Sequence, residues 1–464
     1  MNRLKSVVLG VLACGVMASI HAEESGQAVV ARIGAGWMAH MVCSGVFVSG
    51  RSVESVMSAE FGAGADPALR ALAPEVDKGR KRVTVALPEA IGGVATAVYR
   101  KGLGCTIAHG AGSAEALQAV STRPLKGAAR AKRPWPMGMA VSRDVEGLDY
   151  AALDAVLEEA LQHGADAHGL GTRAVAVVHK GWLVAERYAE GFDASMPVYS
   201  ASMSKTVTAM LIGTLVREGK LDMARTGLRP EWRDDSRRGI SFDHLMRMVS
   251  GLEFLEQYAA ASHVNIMLMN EPDMAGYAAS HRSIVRPGVR WSYSSGTTNI
   301  IMALARETFE DDRSWYNFPR VALFEPLGLR HSVFETDEAG TFVGSSFIWS
   351  TAQDYARLAQ LLLQDGVWEG ERLLPEGWVA YMSSPHDGTD GGHYGAQTWL
   401  RNSAMPGEAS NLIAMSGYGG QSVIVLREED TAIVRFGWDF GLDESFDERK
   451  FVADVRTALR PSAD

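Results

Sequence analysis

The stretch YSASMSKTV at residues 199–207 carries the pattern from which the fold of this chain can be inferred. It contains Ser-x-x-Lys at Ser202 and Lys205, and it opens a predicted helix that ends near Gly219. The positions that recur at helical spacing in this run are Val207, Met210, Leu211, Thr214 and Leu215. Because residues three apart share one face of a helix, the Ser202 hydroxyl and the Lys205 amine can meet.

A serine and a lysine in contact can form a nucleophile. A buried lysine loses part of its preference for the charged form, so Lys205 can accept the proton of Ser202. The positive potential at the start of a helix also favours an oxyanion at Ser202. Ser-x-x-Lys recurs by chance, however, and on its own the pattern is better explained by Ser202 as a helix N-cap.

Strand pairs and helices flank this motif on both sides. The pattern predicts one hairpin before the motif, around Lys180-Gly181, and one after it, around residues 427–430. A mostly helical middle covers about residues 219–366. The predicted strands cover residues 173–179, 182–188, 422–426 and 431–436, and the flanking helices cover residues 153–161 and 447–459. This order predicts an α/β (α+β) fold, in which an antiparallel sheet built from both ends is flanked by helices and interrupted by a helical insertion.

Length, composition and charge limit the classes of protein to which the chain can belong. It has 464 residues, of which 47% are hydrophobic and 22% charged, as in soluble globular proteins and unlike disordered ones. The length predicts at least two domains. A formal net charge of -10 argues against nucleic acid as the main partner, because phosphate binding needs clustered Lys and Arg. Neither Gly-x-Gly-x-x-Gly nor His-Glu-x-x-His occurs, so no cofactor and no metal are expected.

Residues 1–22 have the features of a secretory signal peptide. Two basic residues precede an almost wholly apolar run over residues 6–18, and Ala22 precedes an acidic pair. The run is shorter than the roughly 20 residues that span a bilayer, so we predict cleavage near Ala22 and export to the periplasm. The alternative is a lipid anchor on Cys14. No second apolar run of spanning length is expected, so the mature chain is predicted to lack a transmembrane segment.

The two cysteines that cleavage would leave, Cys43 and Cys105, are predicted to form a disulfide in an oxidising compartment. The alternative is a pair of buried free thiols. Both are expected to flank strands, since Cys43 precedes the apolar run at residues 45–48 and Cys105 opens another.

The remainder of the chain is predicted to divide into three parts. Residues 23–121 are expected to form a small β-rich segment with a hairpin around Gly92-Gly93, which would cap the larger part. Residues 122–137 carry five basic residues and three prolines, a composition typical of a linker. Residues 138–464 form the predicted main domain, which carries the Ser-x-x-Lys motif.

Two further patterns follow that motif in order. Tyr293-Ser294-Ser295 lies within WSYSSG, and Gly417-Tyr418-Gly419-Gly420-Gln421 lies just before a predicted strand. With these three motifs, the chain resembles the serine β-lactamase and penicillin-binding-protein superfamily over residues 138–459. Within it, the chain is similar to class C-related hydrolases that include 6-aminohexanoate-dimer hydrolases and esterases.

The resemblance implies roles for the matching residues. Ser202 would be the acylated nucleophile, and Lys205 and Tyr293 would share the general acid and base steps. Ser295 would hydrogen-bond within this network, at the position where many β-lactamases carry an asparagine that helps to bind the substrate.

The Gly-rich motif departs from the family pattern at one important position. By resemblance, the backbone N–H of Gln421, aligned by Gly419 and Gly420, would form an oxyanion hole with the N–H of Ser202. Tyr418 stands where the family has the lysine of Lys-Thr-Gly, so the cation that would bind a β-lactam carboxylate is missing there. This departure points to ester or amide substrates that need no carboxylate.

Aromatic residues near these motifs are further candidates for substrate binding. Tyr258 falls near a loop tyrosine that assists amide cleavage in the 6-aminohexanoate-dimer hydrolases, and a packing role is an equal alternative. Tyr418 lies in the Gly-rich motif itself. Tyr394 and Trp399 are candidates for the pocket lining or, as is more common for aromatic side chains, for the core.

These patterns together predict an exported serine hydrolase that cleaves a small-molecule amide or ester through an acyl-enzyme on Ser202. One alternative is a β-lactamase or a D-stereospecific peptidase that acts on peptidoglycan-like substrates. A second alternative is a binding or sensor protein that keeps the pocket without turnover. The intact set of Ser202, Lys205 and Tyr293 argues against this last alternative.

Overall fold

The computed structural model describes residues 26–460 except for residues 63, 123–133, 166–169, 259–260, 387–391, 401–411, 441 and 443. The predicted signal peptide, Cys14 and most of the predicted linker over residues 122–137 therefore lie outside the described residues. The helices are α1 (Gly26–Phe47), α2 (Val53–Glu60), α3 (Pro67–Arg70), α4 (Ser113–Gln118), α5 (Tyr150–Gln162), α6 (Ser204–Arg217), α7 (Phe242–Met246), α8 (His263–Asn270), α9 (Met274–Ser280), α10 (Ser295–Arg306), α11 (Asp312–Pro319), α12 (Glu325–Leu327), α13 (Ala352–Leu363), α14 (Trp378–Met382) and α15 (Glu448–Ala458). The strands are β1 (Pro74–Asp77), β2 (Arg82–Ala86), β3 (Val94–Arg100), β4 (Gly104–Ala108), β5 (Gly171–His179), β6 (Trp182–Tyr188), β7 (Val198–Tyr199), β8 (Val333–Phe334), β9 (Ile348–Ser350), β10 (Val367–Trp368), β11 (Glu371–Arg372), β12 (Leu412–Gly417), β13 (Gln421–Leu426) and β14 (Thr431–Trp438).

An antiparallel sheet of five strands, in the order β12-β13-β14-β5-β6, forms the centre of the larger part of the chain. Both predicted hairpins are present in it, because β5 pairs with β6 and β13 pairs with β14. The two ends of the chain meet where β14 pairs with β5, for example at Ile433 opposite Val177. The predicted α/β (α+β) fold class, with one antiparallel sheet built from both ends and flanked by helices, is confirmed.

Strand β5 is buried along its whole length because helices cover both faces of the sheet. Its side chains alternate between the faces, as the two-residue period of a strand requires. Val175 and Val177 pack with residues of α5 and α15, whereas Ala174, Ala176 and Val178 belong to the core that includes α6 and α13. Each face of the sheet thus has its own hydrophobic core.

A small sheet in the order β7-β9-β8 fixes the segment that leads into α6. Ser200 follows β7 directly, and its N–H and its hydroxyl both donate to the carbonyl of Ile348 in β9, at 2.9 and 2.7 Å. Helices α7 to α12 lie between α6 and α13 in the chain. The backbone just before Ser202 is therefore anchored by a strand that comes nearly 150 residues later.

The segment before residue 122 contains more helix than the sequence analysis expected, which corrects its description as β-rich. Helix α1 precedes an antiparallel sheet in the order β1-β2-β3-β4, in which the predicted hairpin pairs β2 with β3. Cys43 lies within α1 and not next to a strand, whereas Cys105 lies in β4. The error has a physical cause. Helix α1 is apolar on nearly all sides, so it lacks the stripe of an amphipathic helix, and a short apolar run such as residues 45–48 also fits a strand.

Helix α1 is also long and apolar enough to cross a membrane by length and composition alone, which the sequence analysis did not anticipate. Of the most apolar 18-residue stretch of α1, 56% is buried inside the protein, and the helix packs against β2, β3, β4 and α8. A mostly buried helix of this kind is a common core element, so we treat α1 as the core of the N-terminal segment.

A disulfide joins Cys43 in α1 to Cys105 in β4, as predicted. Beside it lies the buried carboxylate of Glu335, which comes from the segment between β8 and β9. Its hydrogen-bond partners are Cys105 N at 2.6 Å, Ser44 Oγ at 2.7 Å, His40 Nε2 at 2.8 Å and Trp349 Nε1 at 3.1 Å. One carboxylate therefore ties the N-terminal segment to the strand that pairs with β7.

Candidate active site

Ser202 lies in a short 3-10 turn, Ala201–Met203, between β7 and α6. Its neighbour Ala201 has a φ of +48°, a left-handed conformation that is uncommon for a residue with a side chain. Gly417, at the end of β12, approaches this turn so closely that a Cβ there would lie 2.5 Å from the carbonyl oxygen of Ser200. The edge of the main sheet and the turn that holds Ser202 are thus in direct contact.

The amine of Lys205 is buried, and each of its three N–H groups has an acceptor. Nζ donates to Ser202 Oγ at 3.2 Å, to Ser295 Oγ at 3.0 Å and to the carbonyl of Ser345 at 3.1 Å. Burial lowers the pKa of Lys205 from 10.5 to about 8, against the opposing effect of the Glu256 carboxylate. A lysine with this pKa is partly neutral near pH 7 and can accept the proton of the neighbouring hydroxyl.

The ring of Tyr293 lies under this amine, with Lys205 Nζ 4.7 Å from the ring centroid. Burial raises the pKa of Tyr293 well above its usual value, and the charge of Glu256 raises it further, whereas hydrogen bonding with Ser202 lowers it. The phenol is therefore protonated at neutral pH and can donate a proton or a hydrogen bond beside Ser202.

The predicted pocket residues Trp399 and Tyr394 both pack against Tyr293. Trp399 stacks on the Tyr293 ring with centroids 5.2 Å apart, and Tyr394 meets the ring edge-on at 5.7 Å. Tyr394 is only 1% exposed, which places it in the core, the alternative that the sequence left open. Trp399 is half-buried. Both residues hold the Tyr293 ring in position.

Residues 418–420 form the turn between β12 and β13. Gly419 and Gly420 have φ values of +84° and +87°, and a Cβ at Gly420 would overlap the carboxylate of Asp439. The side chain of Gln421 closes the turn, since its Nε2 donates to Gly437 O at 2.6 Å and its Oε1 accepts from Gly437 N at 3.1 Å. The turn is held rigidly, while the oxyanion-hole role of the Gln421 N–H stays a prediction.

Tyr258 and Tyr418 face each other at the outer side of the site. Their ring centroids are 4.6 Å apart, and Tyr418 also contacts Phe440 at 4.3 Å. They are 45% and 40% exposed, so both are accessible to a bound molecule. Burial and the charge of Glu256 raise the pKa of Tyr258, whereas hydrogen bonding with Ser202 lowers it. A second phenol thus lies beside the Ser202 hydroxyl.

Two groups of the site were not foreseen from the sequence. The carboxylate of Glu256 accepts hydrogen bonds from the Ser295 N–H at 2.7 Å and from the Ser295 hydroxyl at 2.6 Å. The Tyr258 hydroxyl donates to the same carboxylate at 3.3 Å. Glu256 comes from an irregular loop and follows no motif spacing, and the acceptor on Ser345 is a backbone carbonyl, which carries no side-chain signal.

The described residues offer no arrangement for a metal ion. Within them, no group of three or more His, Cys, Asp or Glu side chains is placed to hold one. His40 and His109 each pair with a single glutamate, Glu335 and Glu338, at 2.8 and 2.7 Å.

Comparison with known proteins gives a family and several relatives. The profile of the family described as Beta-lactamase matches residues 157–456. The 6-aminohexanoate-dimer hydrolase of Paenarthrobacter ureafaciens is 23% identical over 287 residues, which cover 57% of this chain and 72% of that protein. The N-terminal segment lies outside the family match.

Solved structures share the fold. A Bacillus anthracis protein described as a candidate 6-aminohexanoate-dimer hydrolase aligns with a TM-score of 0.54 and 20% identity, over 68% of this chain and 84% of its own. A family VIII carboxylesterase aligns with a TM-score of 0.51 and 13% identity, over 67% of this chain and 96% of its own.

Proposed function

Because the chain belongs to the beta-lactamase family, whose members hydrolyse amide or ester bonds, we propose that it is a serine hydrolase that cleaves a small amide or ester through an acyl-enzyme on Ser202. The observation that carries the proposal is the 3.2 Å hydrogen bond from Lys205 Nζ to Ser202 Oγ, made by a lysine whose pKa is lowered to about 8. Two similar proteins are named as a 6-aminohexanoate-dimer hydrolase and a carboxylesterase, which supports the same two classes of bond.

In the proposed acylation, neutral Lys205 takes the proton of Ser202 while Ser202 Oγ forms a bond to the carbonyl carbon of the substrate. Tyr293 gives its proton to the leaving nitrogen or oxygen as the bond between that atom and the carbonyl carbon breaks, and Lys205 then returns a proton to Tyr293. The backbone N–H groups of Ser202 and Gln421 hold the negative oxygen of the intermediate. The net result moves the serine proton to the leaving group.

In the proposed deacylation, a water molecule attacks the acyl carbon and gives its proton to the pair formed by Lys205 and Tyr293. The bond between the acyl carbon and Ser202 Oγ then breaks, and the same proton returns to Oγ. Ser295 keeps Lys205 in place in both half-reactions through its 3.0 Å hydrogen bond. Both steps use one set of groups, which fits a site with a single activated hydroxyl.

The outer side of the site favours substrates without a carboxylate. Tyr418 occupies the position where the family carries a lysine, and it pairs with Tyr258 and Phe440 to form an aromatic wall. Such a wall offers apolar contact and phenol hydrogen bonds but no positive charge. We therefore propose that the acyl group of the substrate is neutral and that the groups next to it are apolar or aromatic.

We also propose that the chain is exported. Residues 1–22 carry the pattern of a cleavable signal, and the Cys43–Cys105 disulfide fits an oxidising compartment. Mass spectrometry of the exported protein, alkylated without reduction, is expected to find a mature chain that begins near Glu23 with both cysteines unmodified. A lipid on Cys14 would support the anchored alternative, and alkylation of both cysteines would contradict the bridge in the exported form.

The test of the hydrolase proposal uses a covalent probe and a substrate panel. A fluorophosphonate is expected to form one adduct, on the peptide that contains Ser202. A panel of nitrophenyl esters, amino-acid amides and a chromogenic cephalosporin is expected to show ester turnover first. No adduct on Ser202 and no turnover of any ester or amide would contradict the proposal.

A further inference from the structure

One hydroxyl group separates Glu256 from the lysine of the site. The carboxylate of Glu256 lies 2.6 Å from Ser295 Oγ, and the same oxygen accepts a hydrogen bond from Lys205 Nζ at 3.0 Å. An ionised carboxylate only accepts hydrogen bonds, so the single hydroxyl proton of Ser295 points toward Glu256. The lone pairs of Ser295 Oγ then face Lys205. The three side chains form a directed chain that ends at the amine beside Ser202.

The start of α10 supports a negative charge at Glu256. Ser295 is the first residue of this helix, and Ser294 caps it by accepting a hydrogen bond from Thr297 N at 3.0 Å. The N–H of Ser295 is one of the groups that a helix leaves without an internal partner, and Glu256 binds it at 2.7 Å. The dipole of the 12-residue helix attracts a carboxylate at this end.

The loop that carries Glu256 is fixed by its backbone. The N–H of Glu253 donates to the carbonyl of Arg282 at 2.9 Å, and the N–H of Leu255 donates to His263 Nδ1 at 3.0 Å. Together with the two contacts to Ser295, these bonds set where the carboxylate lies relative to α10. Glu256 is thus held in place and is not a mobile surface carboxylate.

Phenols surround this chain of side chains and stay neutral. Burial raises the pKa values of Tyr258, Tyr293 and Tyr394, which lie near the Glu256 carboxylate, and the pKa of Tyr418, which packs against Tyr258. Among the residues that the structure describes, the charges at this point of the site are those of the lysine, when it is protonated, and of Glu256. Removing the charge of Glu256 therefore changes the electrostatic energy of the protonated lysine directly.

We propose that Glu256 is a positioning residue for acyl transfer: through Ser295 it holds Lys205 Nζ against Ser202, and its negative charge stabilises the ammonium group that forms when Lys205 takes the serine proton. This inference rests on the proposed function. In the step concerned, the proton moves from Ser202 Oγ to Lys205 Nζ while Oγ bonds to the acyl carbon. Glu256 gains no proton and does not touch the reacting atoms.

The variant Glu256→Gln tests the charge, because it keeps the size of the side chain and one acceptor oxygen. Without the carboxylate, the protonated form of Lys205 is less stable, so a lower pH is needed to protonate it. We expect the acid limb of the rate of fluorophosphonate labelling to move to lower pH by about one unit, since an opposite charge within ~4–6 Å typically shifts a pKa by about 1–3 units. A purely structural role would lower the rate without moving the limb.

Two further variants make the result specific. Glu253→Gln is the matched control, because Glu253 lies on the same loop and pairs with the exposed Arg282 at 2.8 Å, and it is expected to keep the parental pH profile. Glu256→Asp keeps the charge on a shorter side chain, so we expect slower labelling with an acid limb near its parental pH. If Glu256→Gln gives no cooperative thermal unfolding, Glu256→Ala, which also removes the charge, takes its place in the same pH series.

The outcomes separate this inference from the proposed function. An unmoved acid limb in folded Glu256→Gln, with labelling still confined to Ser202, would overturn the role of Glu256 and leave the serine mechanism intact. If only Glu256→Ala folds, an acid limb that does not move in that variant would overturn the role. Labelling that survives Ser202→Ala would instead overturn the proposed function itself.

Discussion

Lys205 Nζ lies 3.2 Å from the hydroxyl oxygen of Ser202, whereas the two neighbouring serines direct their hydroxyls to backbone carbonyls. The Ser200 hydroxyl donates to Ile348 O at 2.7 Å, and the Ser204 hydroxyl donates to Ala201 O at 2.7 Å. Three serines within five residues therefore differ in their partners, and the lysine contact of Ser202 is the reason why we propose it as the activated hydroxyl.

Ser202→Ala is expected to abolish covalent labelling by a fluorophosphonate and all ester turnover, because it removes the hydroxyl that the lysine contacts. The fold should be kept, since one small, partly exposed hydroxyl is lost. Intact-protein mass spectrometry measures the adduct. Ser204→Ala is the control, and it should label normally, because the Ser204 hydroxyl donates to the backbone carbonyl of Ala201. An adduct on the Ser202→Ala protein would show that another residue is the nucleophile.

The rate of acylation is expected to rise with pH and to level off above about pH 8, because the proposed base is the neutral form of Lys205 and the pKa of Lys205 is lowered to about 8. Below that pH the amine is protonated and cannot take the serine proton. Initial rates of nitrophenyl ester cleavage across this range measure the effect. Lys205→Ala should lower them by about 10²–10⁴-fold and remove this acid limb. A flat profile in the parent protein would be incompatible with a lysine base.

Tyr293→Phe is expected to lower turnover by about 10²–10⁴-fold, the usual contribution of a general acid or base. The ring contacts with Trp399 and Lys205 remain, so the thermal unfolding temperature should change little. Tyr394→Phe, in the same aromatic cluster, is the matched control and should keep most activity. Equal activity losses in both variants would mean that packing of the cluster, and not the Tyr293 hydroxyl, limits the rate.

The parts of the fold and site that could be predicted are those with a local signal. The strand-like runs on both sides of Lys180-Gly181 meet at a turn, so β5 and β6 were predicted from residues adjacent in sequence. The contact of Ser202 with Lys205 was predicted for the same reason, since the two residues lie three positions apart on one helical turn. The role of Tyr293 was predicted from the order of the three motifs that the chain shares with the family.

What could not be predicted depends on contacts between distant segments. Glu256 reaches Ser295 from an irregular loop 39 residues earlier, and no periodicity links the two. Helix α1 was missed because its surface is apolar all round, which removes the helical period, and its burial depends on a sheet that follows it. Glu335 meets Cys105 across 230 residues, and a lone acidic residue in a sequence gives no sign that it is buried.

Tyr418→Lys is expected to lower the KM for a cephalosporin by about 10–100-fold, because a charge-assisted hydrogen bond to a carboxylate is typically worth about 1.5–3 kcal/mol. Arg435 lies behind the same turn but does not offer this charge, since its guanidinium binds Asp439 at 2.8 Å. Steady-state kinetics with the cephalosporin and with a neutral ester measure the change. The ester KM should change far less than that of the cephalosporin. Efficient penicillin turnover by the parent at micromolar substrate would show that another residue supplies the cation.

Glu335→Gln is expected to destabilise the protein by about 1–3 kcal/mol, the typical cost of leaving a buried hydrogen-bonding group without its partner. The buried Glu335 carboxylate faces hydrogen-bond donors from α1, β4 and β9, and an amide would turn an N–H toward at least one of them. Urea unfolding measures the loss. Glu338→Gln is the control, because Glu338 is half-buried at the same interface and pairs with His109 at 2.7 Å.

Glu335→Gln should also slow labelling of Ser202 by the fluorophosphonate. Trp349, one of the donors to Glu335, lies in β9, and the neighbouring Ile348 carbonyl anchors Ser200. If loss of the Glu335 carboxylate loosens β9, the turn that holds Ser202 is loosened with it. Glu335 thereby affects the site, although it lies at the contact with the N-terminal segment. Equal unfolding free energies and equal labelling rates in Glu335→Gln and Glu338→Gln would mean that the N-terminal segment does not support the site.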